Sequence, residues 1–326
     1  MILGVVEHDR GRLDERSLEM LTLGRRLAQR LGVHLHAVLV GADSRPLAAR
    51  LSAYGVSTAH LVDHERLGDY APGAWARSIA EIIEAERPQA VLAAGTDRGN
   101  EVMAHVAART GLPMAANCAE VQPGEPYLVT RLRWGGSLLE EARLTGAVKL
   151  LTVAPHAVPA EEVPAAGEVV IDAIAPALTE ADLRVRVTER IESSRGTVSL
   201  ADARVVVGGG RGVGSADGFT ALEELARLLG GVVGCSRVVT SQGWRPHADQ
   251  VGQTGTRIAP ELYIACGVSG AIQHMVGCKG AKRILAINTD PEAPIVAKAD
   301  YAIIGDLHAV IPALVAEIRN ATRRSS

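Results

Sequence analysis

Aromatic residues are scarce in this 326-residue chain, at 3 % with a single Phe. Its core therefore has to come from Ala, Val, Leu and Ile, which suit buried parallel strands covered by helices. Cysteine is scarce and scattered. Cys118, Cys235, Cys266 and Cys278 form no CxxC pair and match no Cys/His spacing of a zinc site. Three of them lie beside Ala, Gly or Ser in apolar stretches, so they read as small buried side chains in a reducing compartment. No apolar run approaches 18 residues, so no membrane span is expected. Net charge is only −3, which offers no electrostatic footing for nucleic acid or an anionic membrane. The 34 glycines follow no triplet period, and collagen is excluded. With 47 % hydrophobic and 22 % charged residues the chain is not disordered. Its length suggests two domains. The opening Met1–Val6 reads as a strand, with no basic n-region, so a cytoplasmic protein is expected.

What is present is a strand–helix rhythm. Ile2–Val6, Leu35–Val40 and Ala90–Ala94 are apolar runs of strand length. Leu13–Leu31, Trp75–Glu86 and Asn100–Arg109 carry helical periodicity, with Gly32, Pro88 and Gly111 as stops. This order predicts a parallel sheet. Tyr127–Arg133, Leu138–Leu144 and Val148–Val153 then read as an antiparallel appendage. The Ala/Pro/Glu-rich stretch 155–176 is expected to run over the surface. Leu183–Ile191 alternates with period two, like a half-exposed strand. The polar segment that follows marks a domain boundary, placed between residues 192 and 193. Net charge is −6 before residue 194 and +3 from there on, compatible with an anionic cofactor in the second half.

The second half restarts the rhythm with strands predicted at 204–207, Leu262–Ala265, Arg283–Ile287 and Tyr301–Ile304. Helices are predicted at Asp217–Leu229 and Ala309–Ile318. Between the first strand and helix lies Gly208-Gly209-Gly210-Arg211-Gly212-Val213-Gly214. Such a run suits a phosphate, because glycine lets backbone approach a ligand and Arg211 adds a fork of donors. Its spacing is not a strict G-x-G-x-x-G, and a tight structural turn is the alternative. Polar, glycine-rich loops follow several predicted strands. In open parallel sheets that edge is where ligands sit. No Ser-His-Asp order or nucleophile elbow stands out.

The runs Gly234-Cys-Ser-Arg237, Gln250-Val-Gly-Gln-Thr-Gly255, Pro260-Glu-Leu-Tyr-Ile-Ala265, Gly267-Val-Ser-Gly-Ala-Ile-Gln-His274, Ala286–Ile295 and Gly305-Asp306 agree in order, spacing and identity with one family. Over about 100 residues the chain closely resembles the C-terminal domain of electron transfer flavoprotein alpha subunits, including FixB-type proteins. The first half resembles the family's N-terminal domain in layout, with less specific motifs. The resemblance implies an α/β protein of two domains, each with a mainly parallel sheet flanked by helices. These are an N-terminal domain, 1–192, that contacts a beta subunit, and a Rossmann-like FAD-binding domain, 193–326.

The resemblance also lends roles to matching positions. Arg237 is expected beside the isoalloxazine ring, where a fixed cation favours the reduced, anionic flavin. His274 is expected near the flavin position-2 carbonyl, with Gln253 and Thr254 reaching the ring and its N5 region. Gln250 and Ser269 resemble ribityl or pyrophosphate contacts. Ser236 and Arg211 are similar to residues closing over the phosphates. Asn288 and Asp306 look like adenosine-end contacts. Gly252, Gly255, Gly267, Gly270, Ala271 and Gln273 complete the expected FAD-binding set. Thr289 stands where the family commonly has Lys, and Val296 where it commonly has an aromatic. Either departure would loosen the adenosine end or alter partner choice.

The implied function is that of a non-enzymatic electron carrier. Paired with a beta subunit, it would take electrons from flavin dehydrogenases, such as acyl-CoA dehydrogenases, and pass them to a quinone-linked acceptor. A bifurcating or nitrogen-fixation-type system is a variant of the same reading. The alternatives are a nucleotide-dependent oxidoreductase, for which only His274 is a candidate acid or base, and a binding subunit without FAD.

Overall fold

The structure, a computed structural model, describes residues 1–164, 167–189 and 199–325. The chain divides into two compact units, Met1–Arg190 and Ile191–Ser326. The boundary expected at 192/193 lies outside the described residues.

The first unit is built on a nine-stranded sheet. Its order is Val170–Ile174, Val56–Val62, Leu35–Val40, Ile2–Val5, Ala90–Ala94, Lys149–Val153, Met114–Gln122, Tyr127–Arg133 and Leu138–Leu144. All neighbours pair in parallel except the last three strands, which are antiparallel to one another. Buried aliphatic residues cover both faces, as crossover helices require. Helix Glu15–Leu31 starts where the Asp14 carboxylate accepts from Arg16 N–H, and ends at Gly32 with φ 65°. That positive φ is the left-handed conformation that glycine adopts without penalty.

Three expectations are corrected here. Lys149–Val153 is no part of the antiparallel appendage. It inserts in parallel between Ala90–Ala94 and Met114–Gln122, and every one of its residues is buried. The stretch 155–176 is not all surface coil, because Val170–Ile174 adds an edge strand beside Val56–Val62. Residues 183–189 are turn and irregular backbone, not a strand. There Leu183 is buried but Val185 is exposed, so the alternation does not follow a sheet face. The neighbouring Asp182 carboxylate is buried, accepts from Thr179 N–H and Oγ1, and pairs with Arg109.

The second unit holds a five-stranded, all-parallel sheet. In chain order its strands are Val205–Gly209, Val232–Cys235, Leu262–Cys266, Ile284–Asn288 and Tyr301–Ile304, and across the sheet they run second, first, third, fourth, fifth. This is one of the two common doubly wound orders, and its crevice falls between the first and third strands. Helices Phe219–Leu228 and Leu307–Ser325 supply Leu222, Leu225, Ile311 and Val315 to one face.

Candidate functional site: the carboxyl edge of the second sheet

The loops after the first and third strands meet at the crevice. Gly210 N–H donates to Cys266 C=O at 2.9 Å and Gly212 N–H to Gly267 C=O at 3.1 Å. A Cβ on Gly210 would overlap the Gly267 carbonyl. These two amides therefore join loop to loop and are not free for an anion. The strand itself continues through Gly208 and Gly209, where the Tyr263 and Phe219 rings take the space a side chain would need. Of this run, Arg211 and Gly212 reach the wall of the cleft.

The cleft has a volume of about 830 Å³, inside the range of small-molecule sites. Arg211, Ser236, Arg237, Gln250, Gly252, Gln253, Thr254, Gly267, Ser269, Ala271, Gln273, His274, Asn288 and Asp306 all line it. Gly255 and Gly270 stand behind the wall. A Cβ on Gly255 would overlap Gln250 C=O, and Gly270, with φ 81°, lies against the Ile295 backbone.

Within this set the side chains divide by what they touch. Gln250 is 2 % exposed and its amide is committed inside the protein. Its Oε1 accepts from Thr240 Oγ1 at 2.7 Å, and its Nε2 donates to Thr254 Oγ1 at 3.0 Å. Asn288 is also a brace, donating Nδ2–H to Val268 C=O at 2.8 Å and accepting Asp290 N–H on Oδ1. Asp306 accepts His308 N–H on Oδ1 at the head of helix Leu307–Ser325. Gln253 N–H bonds Gln273 C=O at 2.7 Å, which fixes the loop against helix Ile272–Cys278. By contrast, Arg211 and Arg237 are exposed and have no ion-pair partner among the described residues. Ser236 precedes helix Arg237–Ser241 without a side-chain capping bond.

His274 is buried, and its Nε2 lies 2.7 Å from the Tyr263 hydroxyl. Its Nδ1 is buried with no hydrogen-bond partner. Burial pushes its pKa down to about 4, partly offset by the Val251 backbone, so the ring is neutral at pH 7. Tyr263 was missed by the site reading. Its signal was a tyrosine inside an apolar strand, whose hydroxyl must find a partner. Ser241, Gln242, Thr289 and Asp290 also line the cleft outside the expected set.

Residues 2–179 match the model of the electron transfer flavoprotein domain, and residues 199–279 that of the electron transfer flavoprotein FAD-binding domain. An electron transfer flavoprotein subunit alpha from Thermoanaerobacterium thermosaccharolyticum is 36 % identical over 319 residues, covering 96 % of each chain. The protein FixB of Clostridium saccharobutylicum is 38 % identical, over 96 % of this chain and 94 % of its own. That of Bradyrhizobium diazoefficiens is 38 % identical, over 96 % and 87 %. The chain belongs to the electron transfer flavoprotein alpha-subunit family. Its second unit carries the family's FAD-binding domain, and it is an electron carrier rather than an enzyme.

The residues present fit FAD. Arg211, without an ion-pair partner among the described residues, and Ser236, whose side chain makes no capping bond, suit a diphosphate, and Arg237 adds a second cation on the same wall. Backbone packs closely at Gly210, Gly252 and Gly270, and His274 Nδ1 at the wall has no hydrogen-bond partner among the described residues. The two positions expected to depart from the family, Thr289 and Val296, both follow the fourth strand. Thr289 lines the cleft, while Val296 packs partly buried against the core below.

Proposed function

We propose that the second unit's cleft holds FAD along the carboxyl edge of the sheet. In this reading the chain is the alpha partner of a heterodimer with an electron transfer flavoprotein beta subunit, in the cytoplasm. It takes electrons from flavin dehydrogenases such as acyl-CoA dehydrogenases and delivers them to a quinone-linked acceptor. The observation that carries the reading is one cleft, lined by the loops after the strands, in which Arg211 and Arg237 lack ion-pair partners among the described residues.

Bound FAD supplies reversible one-electron chemistry. The chain's own residues hold it and set its electrostatics. Arg237 contributes a fixed positive charge, and a group that becomes more negative on reduction is favoured beside it. Ser236 and Arg211 offer hydrogen-bond donors to the phosphates. Gln253, Thr254 and Ser269 offer polar groups between the ends, and Asp306 an acceptor for ribose hydroxyls. Gln250 and Asn288 act as braces that fix Thr254 and the Val268 loop. The N-terminal domain, 1–192, contacts the beta subunit. Its hairpin of Tyr127–Arg133 and Leu138–Leu144 supports this, with Trp134 79 % and Leu139 69 % exposed. Apolar side chains so exposed mark an interaction surface. The FixB relatives support a nitrogen-fixation-type setting as a variant.

Co-expression with the neighbour-encoded beta subunit tests the proposal. The purified pair is expected to be yellow, with FAD in proportion to the alpha chain, and to be reduced by a flavin dehydrogenase plus its substrate. A colourless pair from FAD-replete cells would reject it.

A further inference from the structure

Tyr263 stands in strand Leu262–Cys266, behind the cleft, with no exposed surface. A phenol buried this completely needs a hydrogen-bond partner. Its partner is His274 Nε2 at 2.7 Å, on helix Ile272–Cys278, with the ring centroids 6.0 Å apart. The adjoining strand makes room for the hydroxyl at Gly208, where a Cβ would overlap it. Three thiols influence the phenol, Cys235, Cys266 and Cys278, each pushed up to about 12 by burial and so uncharged at pH 7. Burial likewise raises the phenol well above its ordinary value, so it keeps its proton.

The hydrogen between the two rings has two possible owners. If His274 Nε2–H donated, the phenol's own proton would have no acceptor among the described residues, and Nδ1 would be a lone pair without a donor. If the phenol donates, only Nδ1–H is left without a partner, and the Val251 backbone lies beside the ring to temper it. The second arrangement strands one polar group where the first strands two, in a site from which water is excluded.

We infer that Tyr263 is a positioning residue: its hydroxyl donates to His274 Nε2 and fixes the imidazole as the neutral Nδ1–H tautomer at the wall of the cleft. The consequence for FAD rests on the reading above. With Nε2 occupied, His274 is held back from taking up a proton when negative charge arrives in the cleft, so the wall stays an uncharged dipole. Fixed positive charge then comes from the arginines. Gly208 and Tyr263 thus join one chain of contacts that ends at the ligand-facing surface.

Histidine-selective 15N NMR on the full-length protein with its partner tests this. In the wild type, His274 is expected as a single Nδ1–H tautomer that does not titrate between pH 5.5 and 8. In Tyr263→Phe the tautomers are expected to mix and the proton affinity of His274 to rise at least tenfold. In the same variant the first reduction potential of bound FAD is expected to depend more steeply on pH. An Nε2–H or protonated His274 in the wild type would overturn the inference, as would unchanged tautomer and titration in Tyr263→Phe. Should that variant fail to fold, the wild-type tautomer still decides. Gly208→Ala, which crowds the hydroxyl, is then expected to mix the tautomers. The correct tautomer in a protein whose FAD lies elsewhere would sink the reading of the cleft and leave the Tyr263–His274 assignment standing. FAD in the cleft with the wrong tautomer would do the reverse.

Discussion

Each unit has a mainly parallel sheet with a cleft at its carboxyl edge, yet the two clefts are furnished differently. At the first, a space of about 330 Å³ is lined by His8, Arg10, Asp43, Tyr70, Trp75 and Arg98. Arg98 stacks over Tyr70, and Tyr70 Oη donates to Glu101. Nearby, Glu7 is buried at the end of the first strand and accepts a hydrogen bond from Thr96 Oγ1. Burial pushes the Glu7 carboxyl up to about 7. At the second, amides and hydroxyls of the loops stand among aliphatic side chains, and its two arginines lack ion-pair partners among the described residues. The shared architecture supplies an edge. Both walls keep buried nitrogens without a partner among the described residues, His8 Nδ1 and Trp75 Nε1 at the first and His274 Nδ1 at the second. What sets the second apart is its size, about 830 Å³ against about 330 Å³, and the loop amides and hydroxyls that line it.

The largest expected break in this contrast is Gly270→Val. Positive φ and the close Ile295 backbone both oppose a side chain there. A loss of about 4 kcal/mol in cleft organisation corresponds to roughly a thousandfold weaker FAD retention. Equilibrium dialysis against FAD measures it, and retention within tenfold of wild type would contradict the role of that loop.

Glu7→Gln acts on the other edge. The folded-state pKa lies above the usual carboxylate value, so this group's contribution is fully present below about pH 4.5 and is lost as pH rises through about 7. The glutamine variant lacks that loss. Urea denaturation should show it gaining on wild type by up to about 3 kcal/mol between pH 4.5 and pH 8. Parallel stability curves would mean that Glu7 is better solvated than its burial implies.

Arg237→Ala is the mildest change. FAD should be retained, while its first one-electron potential falls by about 59 mV for each ~1.4 kcal/mol of lost charge stabilisation. A spectroelectrochemical titration with an unchanged potential would remove Arg237 from its role.

Much of this was legible in the residues, for identifiable reasons. Tyr127–Arg133 and Leu138–Leu144 stand where they were expected because Gly135-Gly136 separates two β-rich runs. Lys149–Val153 was misassigned because adjacency in sequence suggested a third hairpin strand. Its uninterrupted burial is what a central parallel strand shows. Val170–Ile174 lies in a largely apolar, β-branched run, 169–174, that the surface reading of 155–176 passed over, and its mostly exposed side chains are those of an edge strand. In the cleft, the loop residues are visible because amides and glycines cluster after strands. The commitments of Gln250 and Asn288 are tertiary and leave no local signature, while Tyr263, a tyrosine inside an apolar strand, signals that its hydroxyl needs a partner but not that the partner is His274.

Hydrogen–deuterium exchange on the FAD-loaded and FAD-stripped pair tests the central claim most directly. The account predicts that FAD slows exchange at 236–254 and 267–274 and leaves the edge around His8, Tyr70 and Arg98 unchanged. Protection confined to residues before 190, with none in the second unit, would contradict it.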